Sequence, residues 1–147
     1  MSDQDDVALV ERAMVAIRRL QARRALGALS GRDHTPAATA VVDVVEDQEP
    51  CTVGAVAAAL AVDQPRASRL VAAAVEAGLV ERRADQSDGR RTLLALTRAG
   101  RAHADEVHRF RQGVFAEAMA DWPPDKRAAF AGMLTDFVDA YTALVRR

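Results

Sequence analysis

A change in hydrophobic period between residues 67 and 96 constrains the fold of this chain more than any other feature. Apolar residues first recur every three to four positions, the pattern of one buried helix face, at Ala67, Leu70, Val71, Ala74 and Val75. Gly78 ends this pattern, as glycine commonly does after a helix. Two strand-like runs follow, residues 79–83 and 91–96, joined by the polar loop ADQSDGR. The stretch therefore predicts a short helix followed by a β-hairpin.

A second short helix is predicted immediately upstream. Thr52 is a suitable N-cap for VGAVAAALAV, and the helix after it has Asp63 as its cap and Pro65 in its first turn. The inward-facing residues of the upstream helix are Val53, Val56, Ala57 and Leu60. Two short helices joined by a tight turn and followed by a hairpin form a winged helix-turn-helix.

Longer helices are predicted on both sides of this unit. An acidic N-terminus, a Thr35-Pro36 start, Thr97 as a cap and a Trp-Pro-Pro break bound four of them: residues 5–29 with a stop at Gly31, 36–47, 97–121 and 124–147. Three of these helices carry apolar stripes too extensive for a small winged-helix core to bury. The fold class is therefore mainly α with a small β-hairpin, and we expect the terminal helices to form a homodimer.

Length and composition narrow the class of protein further. The chain has 147 residues, enough for one domain, and no run of about 18 uncharged apolar residues that would span a bilayer. Its acidic start does not resemble a signal peptide, so we expect a cytoplasmic protein without a membrane partner. Cys51 is the only cysteine, which excludes an internal disulfide.

Positive charge is concentrated in the winged helix. Eight arginines and four acidic residues lie between Arg66 and Arg101, whereas the whole chain has a net charge of −1. The helix after Asp63 presents polar side chains opposite its apolar face: Gln64, Arg66, Ser68 and Arg69. These side chains and the free backbone N–H groups of the first two turns could meet base edges and phosphates. The hairpin adds Arg82, Arg83, Arg90 and Arg91. This pattern favours binding to double-stranded DNA.

These residues resemble the MarR family of winged-helix transcription regulators over nearly the whole chain. The most specific match is the segment QPRASRLVAAAVEAGLVERRADQSDGRRTLLALTRAG, with its GLVER strand, Asp-x-Arg tip and LT-x-x-G close. The resemblance implies that the major groove is contacted by Gln64, Pro65, Arg66, Ser68 and Arg69. It also implies that Arg90 enters the minor groove, oriented directly or through the hairpin backbone by Asp88. Gly89 departs from the family pattern of a second basic residue, and Arg91 is expected to supply that phosphate contact.

The resemblance also implies one MarR-type domain over residues 1–147. Residues 35–100 would bind DNA, and residues 5–30 with 101–147 would form the dimer. The implied function is a repressor that binds a pseudo-palindrome and is relieved by a small anionic or phenolic ligand. The rival interpretation is a protein-interaction adaptor or antirepressor that kept the fold, and it has no need of basic groups at Arg66, Arg69 and Arg90.

Other side chains suggest regulation and no catalysis. Arg18, Arg19, Arg23 and His34 are candidates for binding an anionic effector near the expected cavity. Cys51 raises a redox-switch hypothesis that the lack of a second cysteine disfavours. His34, His103 and His108 are too scattered for a convincing metal site, so surface or pocket positions are expected. No catalytic residues, metal or cofactor are predicted.

Overall fold

The structure, a computed structural model, describes residues 3–22 and 34–147. In these ranges the helices are α1 (Asp3–Ala22), α2 (Pro36–Gln48), α3 (Val53–Leu60), α4 (Gln64–Glu76), α5 (Arg98–Ala118) and α6 (Pro124–Val145). The strands are β1 (Val80–Ala84) and β2 (Thr92–Leu96), which pair antiparallel. The predicted fold class, mainly helical with a small winged-helix hairpin, is confirmed. The predicted stop of the first helix at Gly31 lies outside the described residues.

Side-chain caps fix where four of the helices begin. Each cap oxygen accepts a backbone N–H from the first turn, which is left without a partner inside the helix. The bonds run from Ala38 N to Thr35 Oγ1 at 3.2 Å, from Ala55 N to Thr52 Oγ1 at 3.1 Å, from Arg66 N to Asp63 Oδ1 at 2.7 Å and from Gly100 N to Thr97 Oγ1 at 3.0 Å. All four caps are residues that the sequence predicts.

The hydrophobic core lies where α2, α3, α4 and the hairpin meet. Its largest fully buried side chains are those of Val41, Val42, Val45, Val56, Val71, Leu79, Val80 and Leu94, together with Val107 of α5. The α3–α4 turn adopts a left-handed conformation at Ala61, with φ of 53°, and Val62 N donates to Ala57 O at 3.0 Å to close it. The tight turn required by a helix-turn-helix is therefore present.

The two strands begin one residue later than the sequence predicts. Leu79 N donates to Ala74 O at 3.1 Å, so its N–H closes the end of α4, while its carbonyl oxygen accepts from Thr97 N at 3.1 Å beside the first strand pair. Arg91 N donates to Asp88 O at 2.9 Å, so Arg91 belongs to the loop. The ladder runs from the pair Val80 and Leu96 to the pair Ala84 and Thr92. A bridge between Cys51 and Leu94 adds one residue to the free side of β2.

The chain divides into two compact units, Met1–Arg111 and Gln112–Arg147. In the second unit, Trp122 packs edge-on against Phe130 with ring centroids 5.3 Å apart, and Lys126 Nζ lies 4.2 Å from the Trp122 ring centroid. No residue of α6 is buried within the described chain. By length and a mean hydropathy of 1.2 alone, α6 could cross a membrane. One such helix is weak evidence, because helices of soluble proteins meet the same criteria.

Candidate nucleic-acid interface

Helix α4 separates its apolar and polar residues onto opposite sides. Ala67, Val71 and Ala74 are fully buried against the core. All five of the side chains expected to face DNA are exposed: Gln64, Pro65, Arg66, Ser68 and Arg69. The side chain of Gln64 lies over the start of α3, with its Oε1 3.9 Å from the position that a Cβ on Gly54 would take. The start of α4 is thus a polar surface supported by α3.

The backbone at the start of α4 is less open than the sequence suggests. The Arg66 N–H is taken by the Asp63 carboxylate, and the Ala67 N–H donates to Asp63 O at 2.9 Å. Pro65 has no N–H to donate. These amides therefore do not provide the free phosphate-binding groups that the sequence predicts at this helix terminus. Contacts from this turn must come mainly from side chains.

Short-range hydrogen bonds order the tip of the wing. Asp85 Oδ1 accepts from Ser87 N at 2.9 Å and from Ser87 Oγ at 2.7 Å, and these bonds hold the pKa of Asp85 below its usual value. Asp88 Oδ1 accepts from Arg90 N at 3.1 Å. Of the two roles considered for Asp88, the structure shows the contact with the backbone. Both carboxylates shape a loop on which Arg90 and Arg91 are exposed.

The four arginines of the hairpin differ in how their charge is balanced. Arg83 pairs with Glu81 two residues away on the same strand face, through Nε and Oε1 at 2.6 Å. Its charge is therefore partly offset within the wing. Arg82 lies on the other face of β1, where its cross-strand partner is the buried Leu94. The tip residues Arg90 and Arg91 remain the best placed of the four to contact a phosphate backbone.

The candidate effector residues are only partly described. Arg18 and Arg19 are exposed on α1, and Arg23 lies outside the described residues. His34 is half-buried and packs edge-on against His103, with ring centroids 4.7 Å apart. An effector pocket built from these side chains stays a prediction.

Two side chains outside the DNA-facing surface, those of His103 and Cys51, are buried. His103 is buried, with 6% of its surface exposed, and shares a hydrogen bond of 2.9 Å with Thr39 Oγ1 across 64 residues of sequence. Burial and the nearby His34 lower its pKa. Cys51 is also buried, and burial with the nearby Glu49 raises the pKa of its thiol. A thiol that resists ionisation is a poor redox sensor.

A set of polar contacts from α2 and the residue after it to α5 was not anticipated from the sequence. Three acids at intervals of three residues, Asp43, Glu46 and Glu49, contact bases on α5. The regular interval could have identified one acidic helix edge. Which bases it meets depends on tertiary packing across more than 50 residues.

Comparisons with known proteins agree with this architecture. Residues 32–91 match the family model described as MarR family. A MarR family protein from Bacillus stearothermophilus is similar in structure, with a TM-score of 0.80 at 20% identity over 97% of this chain and 99% of that one. BldR, a transcriptional regulator from Sulfolobus solfataricus, gives a TM-score of 0.68 at 18% identity, covering 95% and 99%.

A third similar structure is the PcaV transcriptional regulator from Streptomyces coelicolor in complex with its natural ligand. Its TM-score is 0.57 at 23% identity, covering 86% of this chain and 91% of that one. No curated protein matches the chain.

Proposed function

Residues 32–91 match the MarR family model, and on that premise we propose that the protein is a dimeric, sequence-specific DNA-binding regulator of transcription. Residues 35–100 would read the DNA, and residues 5–30 with 101–147 would hold two copies together. The target would be a pseudo-palindrome in double-stranded DNA, because a symmetric dimer presents the same surface twice. The expected location is the cytoplasm.

One observation carries the proposal. The candidate DNA-contacting residues of α4 are exposed on one side of a helix whose other side is buried, and exposed arginines stand at the tip of the adjacent wing. Arg66 and Arg69 would read base edges with Gln64 and Ser68, while Arg90 and Arg91 would contact the backbone. An adaptor that binds protein would gain nothing from basic groups at both places.

The primary test is selection of bound duplexes from a random pool, followed by fluorescence anisotropy on the selected sequence at several salt concentrations. We expect an inverted repeat with half-sites about one helical turn apart. Log affinity should fall steeply with log salt because phosphate contacts release counterions. Absence of binding at low salt would contradict the proposal and favour the adaptor interpretation.

Two variants separate base reading from backbone contact. Arg66→Ala should cost about 1–3 kcal/mol of binding free energy and relax base choice at one position per half-site. Arg90→Ala should weaken binding to all sequences and reduce the salt slope by about one per subunit. Arg109→Ala is the control, because Arg109 is exposed on α5 and away from α4 and the wing in sequence. An Arg66→Ala protein with unchanged affinity for every sequence would show that Arg66 does not read bases.

We further propose that the protein is a repressor relieved by a small anionic or phenolic ligand. The support is the set of basic candidates on α1 and at His34, together with the ligand complex known for PcaV. The test is titration of a hydroxybenzoate into the protein–DNA complex, with His34→Ala as the comparison variant. Release that is weaker in His34→Ala supports the site. Equal release in both proteins would place the ligand elsewhere.

A further inference from the structure

Helix α5 rests on the winged helix through a narrow stripe. The stripe consists of Gly100, Ala104 and Val107, which recur at helical spacing and are buried. His103 flanks it on one side through its hydrogen bond to Thr39. Small side chains in a single row hold a helix close to its support but resist rocking about the row only weakly. Contacts away from the stripe are needed to fix the direction of α5.

An acidic row on α2 provides those contacts. We use this term for Asp43, Glu46 and Glu49, the last being the residue after α2. Arg101 Nη2 donates to both carboxylate oxygens of Glu49, at 2.8 and 3.0 Å. Arg111 donates to Asp43 through Nη1 at 3.1 Å and Nη2 at 2.7 Å. His108 Nε2 lies 2.5 Å from Glu46 Oε1.

The three pairs lie at different places around the stripe. Arg101 and His108 are two helical turns apart and share the flank opposite His103. Arg111 continues the direction of the stripe one turn past Val107, where an ion pair replaces apolar packing. Contacts on both flanks and at the far end oppose rotation and tilt of α5 together.

The effect of these pairs on stability should be small. Half-exposed ion pairs of this kind contribute little to stability, because water screens the attraction and ordering the side chains costs entropy. Arginine–carboxylate contacts through two hydrogen bonds nevertheless restrict geometry more than a single bond does. These pairs therefore constrain the direction of α5 more than they stabilise the fold.

We propose that Arg101, His108 and Arg111 are positioning residues for DNA recognition, which set the half-site separation that the dimer accepts. This inference rests on the proposed function, since it requires a dimer that reads two half-sites. The α5 helix is continuous from Arg98 to Ala118, and the segment that makes these contacts, residues 101–111, is the start of the C-terminal portion proposed to dimerise. Loss of these contacts would let the dimer bind half-sites over a wider range of separations.

The experiment measures affinity for duplexes in which the selected half-sites are moved apart or together by one and two base pairs. Arg101→Glu and Arg111→Glu are compared with wild type and with Arg109→Glu, which makes the same charge change on the same helix. For each test variant, the affinity for the preferred spacing divided by the affinity for a shifted spacing should fall by about fivefold or more. Affinity for a duplex with a single half-site should match that of Arg109→Glu. The exchanged pairs Arg101→Glu/Glu49→Arg and Arg111→Glu/Asp43→Arg should restore the ratio.

Three results would overturn the inference, and they differ in what they say about the proposed function. If wild type binds no duplex, the proposed function fails and the inference fails with it. If wild type shows a spacing preference that both test variants retain, the function stands and the positioning role is wrong. If the variants lose single-site binding and spacing preference together, and the exchanged pairs restore neither, the pairs are structural only. Arg101→Gln replaces Arg101→Glu if the latter does not fold.

Discussion

Gly100 is held in place by the close approach of α5 to the end of α4. A Cβ at this position would lie 1.9 Å from the carbonyl oxygen of Leu79, which is backbone and cannot move aside. Gly100→Ala should therefore lower the free energy of unfolding by about 2 kcal/mol or more, measured by urea denaturation.

The matched control is Gly113→Ala in the same helix. A Cβ there would meet nothing within 4 Å. Because alanine favours helix more than glycine does, Gly113→Ala should raise stability by about 0.5–1 kcal/mol. Equal effects of the two substitutions would show that the contact with Leu79 does not constrain α5.

His103 should make stability depend on pH. Its pKa in the folded protein lies below the ordinary 6.5, so the unfolded chain takes up the proton first as the pH falls. The free energy of unfolding is therefore not reduced by this group above about pH 6.5, and it declines as the pH falls below that value. The groups that act on it are His34 and Arg111, which disfavour the proton, and Glu106 and Asp43, which favour it.

Urea denaturation at pH 7.5 and pH 5.5 tests this effect. In His103→Gln, which has no titrating ring but can still hydrogen-bond to Thr39, the loss of stability between the two pH values should shrink. A variant that loses as much stability as wild type would assign the pH dependence to other groups.

The wing is the element where this chain departs from the MarR family pattern that it resembles, and the structure leaves room at this position for a larger side chain. Gly89 lies at the tip between Asp88 and Arg90, and a Cβ there would meet nothing within 4 Å. Gly89→Arg should increase affinity for all duplexes and steepen the salt slope by about one per wing, because a further phosphate comes within reach of a cation. Anisotropy titrations across a salt series measure both quantities.

Gly132→Arg is the control for this substitution. It adds the same charge at an open position on α6, far from the wing in sequence. If both variants steepen the slope equally, the gain comes from net charge and the tip does not approach the backbone.

The elements that the sequence predicted well are those specified by neighbouring residues. Thr52, Asp63 and Thr97 are capping residues followed by periodic apolar positions, and both signals lie within a few residues of the helix start. The predicted strand limits were wrong by one residue because the N–H groups of Leu79 and Arg91 donate to carbonyl oxygens in the adjoining turns.

The sequence could not predict which side chains of distant elements contact each other. The burial of His103 depends on Thr39, and the acidic row depends on α5 lying across α2. At the candidate interface, the exposed side of α4 followed from periodicity. The loss of free amides to Asp63 required the actual cap geometry.

At the scale of the whole molecule, the C-terminal unit presents an apolar surface that one copy leaves in water. Every large apolar side chain along one side of α6 is at least a third exposed: Phe130, Leu134, Phe137, Tyr141 and Leu144. Helices in proteins are stabilised mainly by packing of an apolar face, which α6 does not achieve within the described chain. Phe137 and Tyr141 already stack on each other, with ring centroids 6.0 Å apart. A second copy of the chain is the partner that the proposed function requires.

Phe137→Glu tests this requirement, because it places a charge in the middle of the apolar side of α6. We expect the dimer to dissociate at micromolar protein, as measured by sedimentation equilibrium, and affinity for the full inverted repeat to fall toward that for a single half-site. Ala143→Glu is the matched control, since its helical spacing places it on the opposite side with Asp136 and Asp139. It should leave both properties unchanged. If Phe137→Glu remains dimeric, the two copies must meet through another surface. If wild type requires detergent to stay in solution, the apolar side of α6 serves a membrane and the dimer proposal fails.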